Sequence, residues 1–246
     1  MNIEIPEPTS PSRYPYKDTP IEMEHLKDLK KVGNEYESVL FRMIANYGMD
    51  NQIELVKKYL NLLICVANGP HSRARHVMKL GQLLLDQEVY ESALAVNAFA
   101  YYLQSYYNYT WHILYNNLGE CHNHFKRYDL AEFSLLEAVN IMPERHIPYK
   151  NLGIAMEGQG LYIEAAEYYF MATEKYSADP SSFELLKRLI KDHPRLVYRA
   201  PNIYNRMNLF ERTITLTQNM ARDLQERSVK HCKATTPTGN AGIQQF

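Results

Sequence analysis

The sequence predicts an all-α solenoid of stacked helical hairpins. Three observations carry that prediction. The pairs Leu80-Gly81, Leu118-Gly119 and Leu152-Gly153 recur, each followed at a fixed distance by one alanine (Ala93, Ala131, Ala165) and seven residues later by a second (Ala100, Ala138, Ala172). Every landmark steps by 38 residues from the first copy to the second and by 34 from the second to the third. Ahead of the copies, Leu26, Leu29, Val32, Tyr36, Val39/Leu40 and Met43/Ile44 form an apolar stripe at helical spacing, broken by Gly48 and Asp50. Glycine and alanine at the landmark places let two helices approach to roughly 8–10 Å, and the large residues fill the space between hairpins. One hairpin cannot bury its apolar face, so copies stack and the ends need caps.

The middle copy reads Tyr115, Leu118, Gly119, His122, Ala131, Leu135, Ala138, Pro143, and the third reads Tyr149, Leu152, Gly153, Met156, Ala165, Tyr169, Ala172, with Pro180 three residues late. The first reads Val77, Leu80, Gly81, Leu84, Ala93, Asn97, Ala100 and has no closing proline. A fourth start fits at Phe183 and Leu186, but Lys187 stands in place of glycine and His193-Pro194 stops it, which leaves a lone capping helix. Over residues 74–191 the chain resembles the tetratricopeptide repeat family, whose pattern is W-x2-L-G-x2-Y, then A-x3-F, a small residue and proline. The resemblance implies a right-handed α-solenoid of about three tetratricopeptide repeats with N- and C-terminal capping helices.

The flanks follow from local signals. Residues 1–20 carry Pro6, Pro8, Pro11, Pro15 and Pro20 among polar residues, which predicts a disordered or extended arm. A helical hairpin is expected over 21–69, either a divergent repeat or a distinct cap. Its second helix runs from about Asn51 to Ala67, and Asn68-Gly69-Pro70 ends it. The four extra residues between the first and second copies fall near Ser105–Thr110 and lengthen a connector, placing Asn108-Tyr109-Thr110 in a loop. After Pro194 an extended stretch reaches about Pro201. A last helix over 202–231 then carries Phe210, Ile214, Thr217, Met220/Ala221 and Leu224 on its apolar face. That helix is expected to cover the last repeat; the alternative is an exposed helix that recruits a second copy. Residues 232–246 read as a disordered tail.

Composition narrows the function classes. The chain has 246 residues, 46% apolar and 22% charged, with a net charge of −1. That balance gives no electrostatic case for nucleic acid or an anionic membrane. Cys65, Cys121 and Cys232 are odd in number and far apart, so no disulfide framework is expected, and a reducing cytoplasm suits them. The start, Met1-Asn2-Ile3-Glu4-Ile5-Pro6, lacks a basic region and an apolar core, so no signal peptide is expected. The best apolar run, Leu62–Ala67, is six residues, too short for a membrane span. Tyrosine is the outlier at 20 residues, many of them in the cluster Tyr101, Tyr102, Tyr106, Tyr107, Tyr109 and Tyr115. Such residues either pack helices or form an adhesive surface.

Two clusters have the look of chemistry. Cys121-His122-Asn123-His124 could share a helix face, but zinc wants four ligands, or three and a water, and no second cluster follows. His122 also stands where the repeat calls for a large packing residue. Gly158-Gln159-Gly160 lacks the preceding strand and third glycine of a phosphate loop and reads as a hairpin turn. No Ser-His-Asp set, paired-carboxylate motif or nucleophile elbow is recognisable. No enzyme activity, metal or cofactor is therefore expected.

In tetratricopeptide proteins the first helix of each hairpin lines a concave groove that holds an extended peptide. The resemblance therefore implies a groove face made by Arg75, Met78, Lys79, Gln82 and Asp86 in the first copy. The second copy gives Ile113, Asn116, Asn117, Glu120, Asn123 and His124, and the third gives Ile147, Lys150, Asn151, Ile154 and Glu157. The peptide-binding residues on that reading are Arg75, Lys79, Gln82, Asn116, Asn117, Glu120, Lys150 and Asn151. Asn117 and Asn151 precede their Leu-Gly pairs, where family members often place an asparagine on the peptide main chain; a carboxamide donates and accepts as a peptide unit does. Arg75, Lys79 and Lys150 would favour acidic partners. A subclass that grips the terminal carboxylate of heat-shock chaperones needs Lys, Asn and Arg at places held here by Met78, Gln82, Ile147 and Asn151, so that specificity is not expected. The expected function is a non-catalytic scaffold or adaptor for a protein or extended peptide segment. A dedicated secretion or assembly chaperone and a self-assembling homo-oligomeric scaffold are the alternatives.

Overall fold

The computed structural model describes residues 34–67, 69–99, 103 and 108–234. Those residues form α-helices and no strand. In chain order they are α1 (Asn34–Met49), α2 (Ile53–Val66), α3 (Gly69–Asp86), α4 (Tyr90–Ala98), α5 (Asn108–His124), α6 (Tyr128–Ile141), α7 (His146–Gly158), α8 (Tyr162–Lys175), α9 (Ser181–Asp192), α10 (Leu196–Arg199) and α11 (Pro201–Ala234). They fall into two compact units that divide after Pro194.

In the first unit α1–α2, α3–α4, α5–α6 and α7–α8 are antiparallel hairpins, and α9 packs on α8. First helices also pack side by side, α1 on α3, α3 on α5 and α5 on α7, so each hairpin meets only its neighbours, as in a solenoid. One core cluster runs from Leu40 and Ile44 through Leu80 and Leu84 to Leu118 and Cys121, and a smaller one joins Ala131, Leu135, Leu152 and Ala155.

The hairpins close by one repeated turn. Val89 donates its N–H to the Leu84 carbonyl and Glu88 to the Leu85 carbonyl; Arg127 and Lys126 do the same to His122 and Asn123, and Leu161 and Gly160 to Met156 and Glu157. The second residue before the new helix has positive φ each time, at Glu88 (59°), Lys126 (56°) and Gly160 (78°). This is a Schellman ending, which satisfies the last carbonyls of one helix as the chain reverses. No side chain caps α4, α6 or α8. The N-terminal hairpin has the same turn: Gln52 donates to Tyr47, Asn51 donates to Gly48, and Asn51 has φ 53°. In that register Ile44 and Val56 occupy the places of the landmark glycine and first alanine, and both are buried. Over its described residues this hairpin thus shares the turn geometry of the three that follow.

Several expectations need correction. Asn108–Thr110 form the first turn of α5 rather than a loop. Gly69-Pro70 begins α3 as well as ending α2, because proline is well suited to the first turn of a helix. The stretch after Pro194 contains the helical turn α10, and α11 continues through Ala234, into the expected tail. On α11, Ile203 and Met207 are buried and Phe210 and Ile214 half-buried, but every side chain from Thr215 to Glu226 is exposed. Among the described side chains of α11, the apolar face is therefore covered only as far as Ile214. Residues 1–33 with the proline-rich arm, Ala100, most of the tyrosine cluster and the end of the tail lie outside the described residues.

The landmark glycines are among the tightest points. A Cβ on Gly119 would lie 2.3 Å from Leu135 Cγ, one on Gly153 2.4 Å from the Tyr169 ring, and one on Gly81 2.2 Å from Asn97 Oδ1. Gly119→Ala is expected to cost about 1–3 kcal/mol through overpacking, offset by up to ~1 kcal/mol of helix propensity. Leu135→Ala opens the space that the new methyl needs. Urea unfolding of the two single variants and the double should show a double-variant penalty at least ~1 kcal/mol smaller than the sum; strict additivity would contradict the contact.

Candidate binding face of the first helices

The first helices lie side by side, α3 against α5 and α5 against α7. Between α3 and α5 is a pocket of about 360 Å³ lined by Met78, Lys79, Gln82, Leu83, Asp86, Gln87, Tyr109 and Ile113. Met78, Lys79, Gln82, Asp86 and Ile113 are among the residues expected on the groove face. Leu83, Gln87 and Tyr109 are not. Tyr109 sits one helical turn before Ile113 and could have been found by extending α5 backward, had its sequon not read as a loop.

The eight predicted peptide-binding residues separate by burial. Arg75, Lys79 and Gln82 are exposed, and Glu120 and Lys150 half-buried. Asn116, Asn117 and Asn151 are buried, at 7%, 0% and 4% exposure. Asn117 donates to Asn97 Oδ1 at 3.4 Å, Asn151 donates to Asn116 Oδ1 at 3.1 Å, and Asn123 donates to the Asn151 carbonyl at 2.8 Å. These carboxamides tie α5 to α4 and α7 instead of facing a ligand, which corrects the expectation of main-chain contacts from Asn117 and Asn151. The cause at Asn117 is Asn97, a polar residue where the other copies carry Leu135 and Tyr169. The network is incomplete: Asn117 Oδ1 and Asn123 Oδ1 are buried without a donor, a costly arrangement for a carbonyl.

Charge is also redistributed. Arg75 bonds to His71 Nε2 at 2.8 Å, and Gln82 donates to Asp86 at 2.9 Å. Burial raises the Glu120 carboxyl above its ordinary range, Lys150 opposes the rise and Asp86 adds to it. Glu120 therefore lies in the field of both Asp86 and Lys150. Lys150 also acts on Asp179, whose carboxyl is held low mainly by the Ser181 N–H. Glu157, expected on the groove, accepts from Tyr169 at 2.7 Å and from Arg188 of α9 at 2.6 and 2.7 Å. Of the three cations expected to favour acidic partners, Arg75 is bonded to His71, Lys150 lies in the field of Glu120 and Asp179, and Lys79 is exposed on the pocket's rim.

The metal-like cluster is spread apart by packing. Cys121 belongs to the core, with its thiol pushed up by burial. His122 is buried, and His124 stacks on Tyr90 with ring centroids 3.6 Å apart. Among the described residues no three His, Cys, Asp or Glu are grouped to hold a metal. Gly158-Gln159-Gly160 is the α7–α8 turn, with Gly158 against the Tyr128 ring. No described helix is long and apolar enough to cross a membrane.

No family model and no curated protein matches the chain. Among solved structures it is similar to MamA (residue 41 to the end) from Desulfovibrio magneticus RS-1, 18% identical, covering 72% of this chain and 96% of that one with a TM-score of 0.47. It is also similar to the Hsp90 co-chaperone Cns1 from Saccharomyces cerevisiae, 18% identical, covering 67% of this chain and 48% of that one with a TM-score of 0.43. At these scores the fold rests on the chain's own hairpin geometry.

His122 carries a pH dependence. Burial, reinforced by Arg127, holds its imidazole down to about 4. The unfolded chain binds a proton there below about 6.5 while the folded chain does not, so stability is lost as pH falls from about 6.5 to 4. The loss should approach ~3 kcal/mol at about 1.4 kcal/mol per pH unit. His122→Tyr, the aromatic at this place in the repeat pattern that the chain resembles, should flatten that limb of a Tm-against-pH profile; an unchanged slope would assign the acid sensitivity elsewhere.

Proposed function

We propose that the chain is a non-catalytic binding module that holds an extended protein segment against α3 and α5. The observation that carries this reading is the α3–α5 pocket, made jointly by two successive first helices on the face the repeats leave open. At about 360 Å³ it is near the small end of the roughly 300–1,000 Å³ span of ligand pockets, a size that suits one anchoring side chain. Met78, Leu83, Tyr109 and Ile113 supply apolar wall. Gln82 replaces the buried asparagines as the exposed carboxamide able to donate to and accept from a main chain. The described lining includes no His, Cys or Ser to act as base or nucleophile.

Random twelve-residue peptides displayed and selected on the full chain test the reading. Ile113→Asp places a charge in the apolar wall at a half-buried position, so selected peptides should lose at least tenfold in affinity while helicity by circular dichroism is retained. Unchanged affinity would place binding elsewhere.

A second reading, self-assembly, is favoured by α11. Leu209, Leu216, Met220 and Leu224 are 66%, 63%, 66% and 64% exposed and share one side of the helix over roughly 22 Å of its length. Such a stripe is a surface for association. The mass from light scattering should rise with concentration and fall back in Leu216→Lys/Leu224→Lys; a constant monomer mass would end this reading.

A further inference from the structure

We propose that two copies of this chain pair through α11 in antiparallel orientation, with Arg212 of each copy facing Asp223 of the other; the proposal rests on the self-assembly reading above. Leu209, Thr213, Leu216, Met220 and Leu224 fall within roughly 80° of one another around the helix axis, and all five are exposed. The hydroxyls beside them are already satisfied: Thr213 Oγ1 donates to the Leu209 carbonyl and Thr217 Oγ1 to the Thr213 carbonyl, each at 2.9 Å. Both threonines can therefore be covered by a partner without stranding a donor. The stripe begins and ends on leucine. An antiparallel second copy sets Leu209 on Leu224, Thr213 on Met220 and Leu216 on Thr217, each contact occurring twice about a two-fold axis.

Charge selects the direction. Arg212 and Asp223 are exposed and flank the stripe on the same side, roughly 20–40° beyond its edge. About a two-fold axis between antiparallel helices, the same flank of each copy meets along one edge. In the register given, Arg212 lies about two residues, roughly 3 Å along the axis, from Asp223 of the other copy. The pair is thus exchanged twice. A parallel arrangement would set this flank against the opposite one, where Phe210, Thr217 and Ala221 carry no charge. Glu211, Arg222 and Glu226 lie at least about 120° from the centre of the stripe, outside either contact. Flanking charges of this kind set orientation more than affinity; the apolar stripe supplies most of the rest.

Charge exchange in the full chain tests the pairing. Arg212→Asp and Asp223→Arg each put like charges opposite one another at both contacts, so the concentration of half-association by light scattering should rise at least about fivefold. The double variant exchanges the two charges and should return close to the wild type. An equal mixture of the two single variants should associate more tightly than either alone, because one chain then carries two acids on that flank and the other two bases. Both positions are exposed, so helicity by circular dichroism should be retained. Association that is lost in Leu216→Lys/Leu224→Lys yet unmoved by the charge variants, or a mixture no tighter than its components, would overturn the antiparallel pairing and leave self-assembly in place. A wild-type chain that stays monomeric at every concentration would overturn both.

Discussion

The molecule is organised by a contact that leaves no room for a side chain. Within each of the three repeat hairpins a glycine on the first helix meets the residue sixteen positions later on the second: Gly81 and Asn97, Gly119 and Leu135, Gly153 and Tyr169. That contact sets how closely the two helices approach and so fixes which faces remain to pack on the next hairpin. In the N-terminal hairpin the equivalent places hold Ile44 and Leu60, both buried, so the same turn and register are kept with apolar bulk on both sides.

What stands opposite each glycine then decides what the neighbouring hairpin finds. Leu135 and Tyr169 offer mainly apolar surface, although the Tyr169 hydroxyl reaches Glu157. Asn97 offers a carboxamide whose N–H is already given to the Ala93 carbonyl at 2.8 Å, leaving its oxygen for Asn117. One polar residue at a packing position thus draws a groove asparagine inward. Asn116, Asn123 and Asn151 extend the same polar seam between α5 and α7. The seam gives directional bonds between hairpins that apolar packing alone does not provide, at the expense of two carbonyl oxygens left without donors.

Much of this was legible in the sequence, and the remainder was hidden for identifiable reasons. Spacing located the hairpins because it reports the period of a packing contact. The left-handed turn residue was announced by Gly160 and Asn51 but not by Glu88 or Lys126, types that rarely adopt positive φ; there the tertiary turn overrides local preference. Tyr90, Tyr128 and Tyr162 begin the three second helices in strict register, a readable signal with a use: their rings meet His124, Gly158 and His193. The burial of Asn117 could not be read, because an asparagine beside Leu-Gly suits an open groove and a closed seam equally well. Only the position of Asn97 Oδ1 distinguishes them. Likewise Leu209 and Leu216 lie outside the stripe through Phe210 and Ile214, so the exposed side of α11 emerged only once burial was known.

The closing of the asparagine seam takes its carboxamides off the open face. A groove lined by exposed carboxamides reads any main chain and discriminates little. With Asn116, Asn117 and Asn151 withdrawn, the open face keeps the α3–α5 pocket, with Met78, Leu83, Tyr109 and Ile113 as its apolar wall. Glu120 is where the fold bears a cost of its own. Its burial disfavours the charged form, and no donor within the described fold compensates. Replacing it with an apolar residue of similar volume would favour the isolated chain.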